Sequence, residues 1–233
     1  MAIYMTGDIH GEENRFSYKN WDGARNTTID DIMIIAGDFG IVWSNELDDR
    51  TEKYKLDWLA DRPLTFAFVD GNHKNHNRLD TMPVTHKWGG CVHQLRDNVY
   101  HLMRGEMFSM PTGNGDECLD VFAFGGAKSQ DRWWRITDLS WWEREIPSID
   151  EMQHGIDTLD EHSGKCDVVV THCAPSTVQK KLNPYYEDDP VTKYLQFVES
   201  CLDYKDWYFG HYHENVDVDE KHHCIYENIL RIA

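Results

Sequence analysis

Short apolar runs alternate with amphipathic stretches along the chain, and the period of each predicts its element. Ala2–Met5, Asp31–Ala36 and Leu64–Val69 are nearly continuous apolar runs, each closed by a polar or glycine-bearing turn. That is the pattern of strands buried on both faces. Between the second and third, Arg50–Ala60 sets Tyr54, Trp58 and Leu59 at helical spacing. The first three strands begin about 30 residues apart, the length of a strand–helix–strand unit.

The pattern then changes. Val99–Leu102, Met107–Met110 and Leu119–Phe124 are close-spaced strand candidates with polar turns such as Thr112–Gly115, which predicts antiparallel hairpins. Ser148 is placed to cap a helix running to Glu161, with Glu151 three residues on. Asp167–Thr171 is another buried strand. Pro190–Leu202 carries Val191, Tyr194, Leu195 and Val198 on one helical face, and the acidic run Glu187-Asp188-Asp189 before it predicts a cap. Trp207–Phe209 reads as a strand, and Val216–Val218 with Cys224–Tyr226 as a closing hairpin. Parallel units followed by hairpins imply an α/β sandwich with mixed sheets. No repeat or linker divides the chain, so a single domain over residues 1–233 is expected.

Composition narrows the function. The chain sets 23 Lys and Arg against 41 Asp and Glu, a net charge of −18. Gripping duplex nucleic acid or an anionic membrane takes Lys and Arg, so neither is an expected partner. A phosphate-bearing substrate stays open, because bound cations invert the local field. No apolar run approaches the ~20 residues that cross a bilayer, and the N-terminus lacks a basic leader. Cys91, Cys118, Cys166, Cys173, Cys201 and Cys224 form no CxxC pair and read as reduced, mostly buried thiols of a cytoplasmic protein.

The candidate chemistry lies at the strand ends. The first strand runs into Gly7-Asp8-Ile9-His10-Gly11, the second into Gly37-Asp38-Phe39-Gly40 and the third into Gly71-Asn72-His73. Two late strands run into Thr171-His172-Cys173 and Gly210-His211-Tyr212-His213. In α/β sheets such ends converge on one crevice. Extended alternation points Asp8 and His10 the same way, and likewise His211 and His213, so each pair can grip a cation. With Asp38, Asn72 and His172 they form an O/N donor set without thiolate, suited to Mn²⁺, Fe or Zn²⁺. They exceed the needs of one ion, and a bridging carboxylate lets them serve two. Each motif alone is ordinary: a Gly-Asp turn is common loop chemistry, and a single GHxH more often holds packed or solvated histidines. Their ordered recurrence is what points to a metal centre.

In that order, GDIHG, GDFG, GNH, TH and GHYH resemble the calcineurin-like metallophosphoesterase superfamily. GDIHG is most similar to phosphoprotein phosphatases and symmetrical dinucleoside tetraphosphatases, GHYH to compact bacterial phosphodiesterases. The resemblance implies a four-layer αββα sandwich of two mixed sheets. It also implies one ion on Asp8, His10 and His213, a second on Asn72, His172 and His211, and Asp38 bridging them. His73 matches the family's general acid, which protonates the departing oxygen while metal-activated hydroxide attacks phosphorus.

The chain departs from the family in two respects, and one is Lys74 in place of the usual acidic residue after GNH. Many relatives carry an acid and an arginine soon after the bridging aspartate, where this sequence has Ile41 and Val42 before Trp43. Phosphate contact is therefore expected from Lys74, Arg78 or the Arg132/Arg135 pair, and Asp70 is a candidate to orient His73. The pairs Trp133-Trp134 and Trp141-Trp142 are expected in a buried aromatic cluster, a base-stacking wall being the other reading. His222-His223 is expected to be solvated on at least one side. The function expected is a two-metal phosphoesterase acting on a mono- or diester, small or nucleotide-like. A phosphoprotein phosphatase-like enzyme and an inactive metal-binding scaffold are the alternatives.

Overall fold

The computed structural model describes residues 1–113, 115 and 117–233. Asn114, in the predicted Thr112–Gly115 turn, lies outside the described residues. The strands are β1 (Ile3–Thr6), β2 (Ile32–Ile35), β3 (Thr65–Phe68), β4 (Val84–Lys87), β5 (Gly90–Arg96), β6 (Val99–Leu102) and β7 (Glu106–Pro111). They continue with β8 (Cys118–Phe124), β9 (Val168–Thr171), β10 (Asp206–Phe209), β11 (Val216–Asp217), β12 (His222–Cys224) and β13 (Leu230–Arg231). The helices are α1 (Arg50–Ala60), α2 (His76–Leu79), α3 (Ile149–Glu161), α4 (Ser176–Leu182) and α5 (Pro190–Cys201).

Two mixed sheets result. One has seven strands in the order β13-β1-β2-β3-β6-β5-β4, the other six in the order β11-β12-β10-β9-β8-β7. β1, β2, β3 and β6 run parallel, as do β8, β9 and β10. Strand alternation explains the apolar runs. Ile32 and Ile34 of β2 enter the core between the sheets, while Met33 and Ile35 pack under α1 with Leu56 and Leu59. In β9, Val168 and Val170 face the inter-sheet core, and Val169 faces the layer of α3, α4 and α5. The four layers are thus α, β, β, α. Among the described residues no helix is long and apolar enough to cross a membrane.

Capping matches the local chemistry. Ser148 accepts from Glu151 N at the start of α3, and Glu151 returns the bond to Ser148 N. Asp189 caps α5 by accepting from Val191 N and Thr192 N.

Several expectations are corrected. β6 and β7 belong to different sheets: β6 pairs with β3 and β5, and only β7 and β8 form the hairpin. Tyr54 of α1 faces solvent, because the inward stripe is Glu52, Leu56 and Leu59; Glu52 is tolerated there by its ion pair with Arg78 at 2.7 Å. Trp141 and Trp142 are buried, but Trp133 and Trp134 are each 89% exposed, since their short 3-10 turn packs against nothing that covers the indoles. Cys173 and Cys224 are buried, Cys91 and Cys166 half-buried, Cys118 and Cys201 exposed, and all six thiols are free. His222 is buried against Tyr204 and the carboxylates of Glu199 and Asp219. His223, half-buried, bonds Asp206 and Asp217.

Candidate metal centre

The ends of β1, β2 and β3 in one sheet meet those of β9 and β10 in the other. Three sets of potential ligating atoms gather there, each within 4.8 Å: Asp8 with His10 and His213, His10 with Asp38 and His73, and Asp8 with Asp38 and His172. Shared members make one continuous cluster. Asp38 directs its two oxygens differently, with Oδ2 3.9 Å from His10 Nδ1 and Oδ1 3.4 Å from His172 Nε2. Asp8 Oδ2 lies 3.2 Å from His213 Nε2, which in turn is 3.0 Å from His10 Nε2.

Asn72 Oδ1 is 3.3 Å from His172 Nε2. His172 Nδ1 donates to Ala36 O at 3.0 Å across the two sheets, which turns Nε2 toward Asp38 and Asn72. His211 lies outside the three sets. Its ring centroid is 4.9 Å from that of His172, and its N–H donates to both oxygens of Asp8 at 3.0 and 3.2 Å. His73 donates its N–H to Asp38 Oδ1 at 2.8 Å, and its ring meets His10 edge-on at 5.0 Å.

Close approach explains the glycines of these motifs. A Cβ on Gly210 would fall 2.1 Å from Asp8 Oδ1, and one on Gly71 2.2 Å from Asp38 Oδ1. The backbone is strained at the same place. His10, Asp38, His211 and His213 have φ of 47°, 40°, 68° and 54°, four of the seven non-glycine residues with positive φ among the described residues. Such conformations persist where the surroundings overdetermine them, typically at functional sites.

The electrostatics suit cations. Asp8 and Asp38 are buried, and no lysine or arginine side chain pairs with either carboxylate among the described residues. Burial favours their neutral forms, but the charge on His172 outweighs it and holds both below the usual carboxylate range. Burial likewise opposes a charge on His172, yet Asp38 and Asp8 lift it to about 9. His211 is pushed down to about 4 by burial and by the charge of His172. Buried anions that draw a proton onto an imidazole are anions short of a counter-cation, and the O/N donors around them are those of hard to borderline divalent ions. The residues fit a metal.

Comparison with known families agrees. The model of the calcineurin-like phosphoesterases matches residues 1–215. The chain belongs to the calcineurin-like phosphoesterase family. Comparison with curated proteins returned no match. The family typically works with two metal ions, and its fold of two mixed sheets flanked by helices is the one described above.

Against that family, the structure sorts the candidate phosphate contacts. Lys74 is buried 3.6 Å from Asp70 Oδ2, and Arg78 pairs with Glu52 and donates to Ser44 O, so both are spent inside the fold. Arg132 lies over the Trp141 ring at 4.1 Å. Arg135 alone reaches the cluster, with Nη2 3.1 Å from His73 Nε2. Asp70 does not touch His73; it receives Arg104, His101 and Lys74. Ser129 and Glu145, which hold Asn72, and Trp43, whose ring stacks 6.2 Å from that of His73, were missed by sequence reasoning. Their partners are remote in sequence, and no motif marks them.

A cavity of about 450 Å³ adjoins the cluster, lined by Gln130, Tyr185, Tyr186, Tyr212, His211 and His213. Another of about 470 Å³, near Met1, Thr112 and Lys205, holds none of the cluster residues.

Proposed function

We propose that this protein is a two-metal hydrolase of phosphate mono- or diesters, acting on small or nucleotide-like substrates. In this reading Asp8, His10 and His213 hold one divalent ion, Asn72, His172 and His211 the other, and Asp38 spans both; manganese is the favoured ion, with iron or zinc as alternatives. The observation that carries it is Asp38, whose two carboxylate oxygens each face a different imidazole, those of His10 and His172. When bound, such ions clamp phosphate oxygens and lower the pKa of water enough to supply hydroxide near neutral pH.

The protein's own residues do the rest. The Ala36 carbonyl fixes His172 in the tautomer that offers Nε2. His73, held by Asp38 through its backbone N–H, stands as the proton donor to the departing oxygen. In the free protein its Nε2 accepts from Arg135, so that nitrogen must be released and protonated before it can donate. The adjoining cavity, lined by Tyr185, Tyr186 and Tyr212, supports a flat organic group on the ester. Six free thiols support a reducing, cytoplasmic setting.

The test is turnover of a panel of aryl phosphate monoesters, diesters, nucleotides and phosphopeptides after incubation with Mn²⁺, alongside Asp38→Asn and metal analysis. Turnover of a monoester, diester or nucleotide that Asp38→Asn abolishes, with about two ions per chain, supports the reading. Release from phosphopeptides alone points instead to a protein phosphatase, and no turnover above the variant to a scaffold.

A further inference from the structure

Resting on the phosphoester reading, we propose that Arg135 anchors the substrate's phosphate, supplied by the segment between β8 and α3 in place of the strand-end arginine that Ile41-Val42 lacks. Ions at the cluster would attract a phosphate, but holding it in one orientation also takes a fixed donor of the protein, which Ile41 and Val42 cannot supply. Most candidates are engaged elsewhere. Arg15 donates to the carbonyls of Gly7, Asp8 and Tyr226, Lys55 to that of Gly11, and Arg104 to Asp70 and Glu151. Lys74 and Arg78 are enclosed with Asp70 and Glu52.

Arg135 differs in how its guanidinium is held. Nε donates to Asp131 Oδ1 at 2.7 Å and Nη1 to Ser140 O at 3.2 Å, which fixes the plane of the group. Nη2 then points into the site, toward His73 Nε2. Three of five N–H groups are engaged, and one on each terminal nitrogen is left for a ligand. That fork matches two oxygens of one phosphate. The segment is pinned at its far side as well, where Asp138 accepts from Asn45 and Asn77 at 2.9 and 3.1 Å. Arg135 is therefore presented on a braced loop, with its side chain only 11% exposed. A phosphate oxygen replacing His73 as acceptor leaves His73 Nε2 free of the arginine.

The test compares wild type, Arg135→Ala and Arg135→Lys, each equilibrated with Mn²⁺. Binding of inorganic phosphate is measured by calorimetry, KM and kcat with p-nitrophenyl phosphate, and Mn²⁺ affinity separately. Arg135→Ala is expected to weaken phosphate binding about 10- to 100-fold and raise KM by a similar factor, with Mn²⁺ affinity unchanged. Arg135→Lys keeps the charge without the fork and is expected to fall between. Should the alanine variant not fold, Arg135→Gln carries the same test. Phosphate affinity within about two-fold of wild type in the alanine or glutamine variant overturns the assignment. If wild type binds phosphate through Arg135 but splits no ester, the phosphoesterase reading falls and this one stands. Ester turnover with unchanged phosphate affinity and KM in the variant sinks the Arg135 assignment alone.

Discussion

Ser129 Oγ accepts a hydrogen bond from Asn72 Nδ2 at 3.1 Å, and the same hydroxyl donates to Glu145 Oε2 at 2.6 Å. The bond decides which end of the Asn72 amide faces the cluster: with Nδ2 occupied, Oδ1 is turned to His172. Without that partner the amide is free to flip and present N–H groups, which cannot bind a cation.

Ser129→Ala is therefore expected to weaken Mn²⁺ binding about 10- to 100-fold, as loss of a residue that orients a ligand does elsewhere. Glu145, buried and left without its hydroxyl partner, adds a stability loss of about 1–3 kcal/mol. Calorimetric titration with Mn²⁺ and urea unfolding separate the two effects.

Gly71 backs directly on the cluster, and an added Cβ meets both Asp38 and His172 Nε2. Gly71→Ala is expected to displace Asp38 and abolish metal binding, while overpacking costs about 1–3 kcal/mol of stability. Metal content after Mn²⁺ incubation, read beside a thermal melt, distinguishes displacement from unfolding.

Trp133 and Trp134 contribute almost nothing to the core. Trp133→Ala with Trp134→Ala is expected to leave stability within about 0.5 kcal/mol and to raise KM for nucleotide and aryl esters roughly ten-fold, the scale of stacking on an aromatic ring. Glycerol phosphate, which has no ring, should be turned over with unchanged KM. Equal effects on both substrate classes would count against a stacking role.

His222 gives a pH prediction remote from the cluster. Burial opposes its charge, but Glu199 at 3.1 Å and Asp219 at 2.8 Å outweigh burial and raise its pKa. A raised folded value means stability that is complete below the unfolded pKa of about 6.5 and is lost as pH rises through the folded value. The unfolding free-energy gap between wild type and His222→Gln should be widest in mild acid and shrink through alkaline pH. A gap that widens with pH would show that the neutral imidazole is the favoured form.

Much of this arrangement is legible in the residues because local physics and global fold agree. β2 and β9 are buried on both faces, so their apolar runs are unmistakable, and α3 carries its cap and its Glu151 in sequence. The cluster is legible for a similar reason: four of the five motifs pair a chemistry-bearing side chain with a glycine beside it. β4 was not, because it is an edge strand with Val84 exposed and no apolar alternation. The passage from β6 to β7 was also hidden, since the few residues from Met103 to Gly105 look like a hairpin turn while the chain changes sheet. Arg135 could be named only as one of several basic residues. What singles it out is Asp131, Ser140 and His73 meeting around it, and that is tertiary.

Asp8 and Asp38 leave one sheet, His172 and His211 the other, and the Ala36–His172 and Asp8–His211 bonds tie the two together at this end. Ions seated between them would act as rivets through the sandwich, so chelation should do more than silence the enzyme. It should let the paired sheets part first along this seam, lowering the melting temperature and making the β9 and β10 amides the earliest to exchange with solvent.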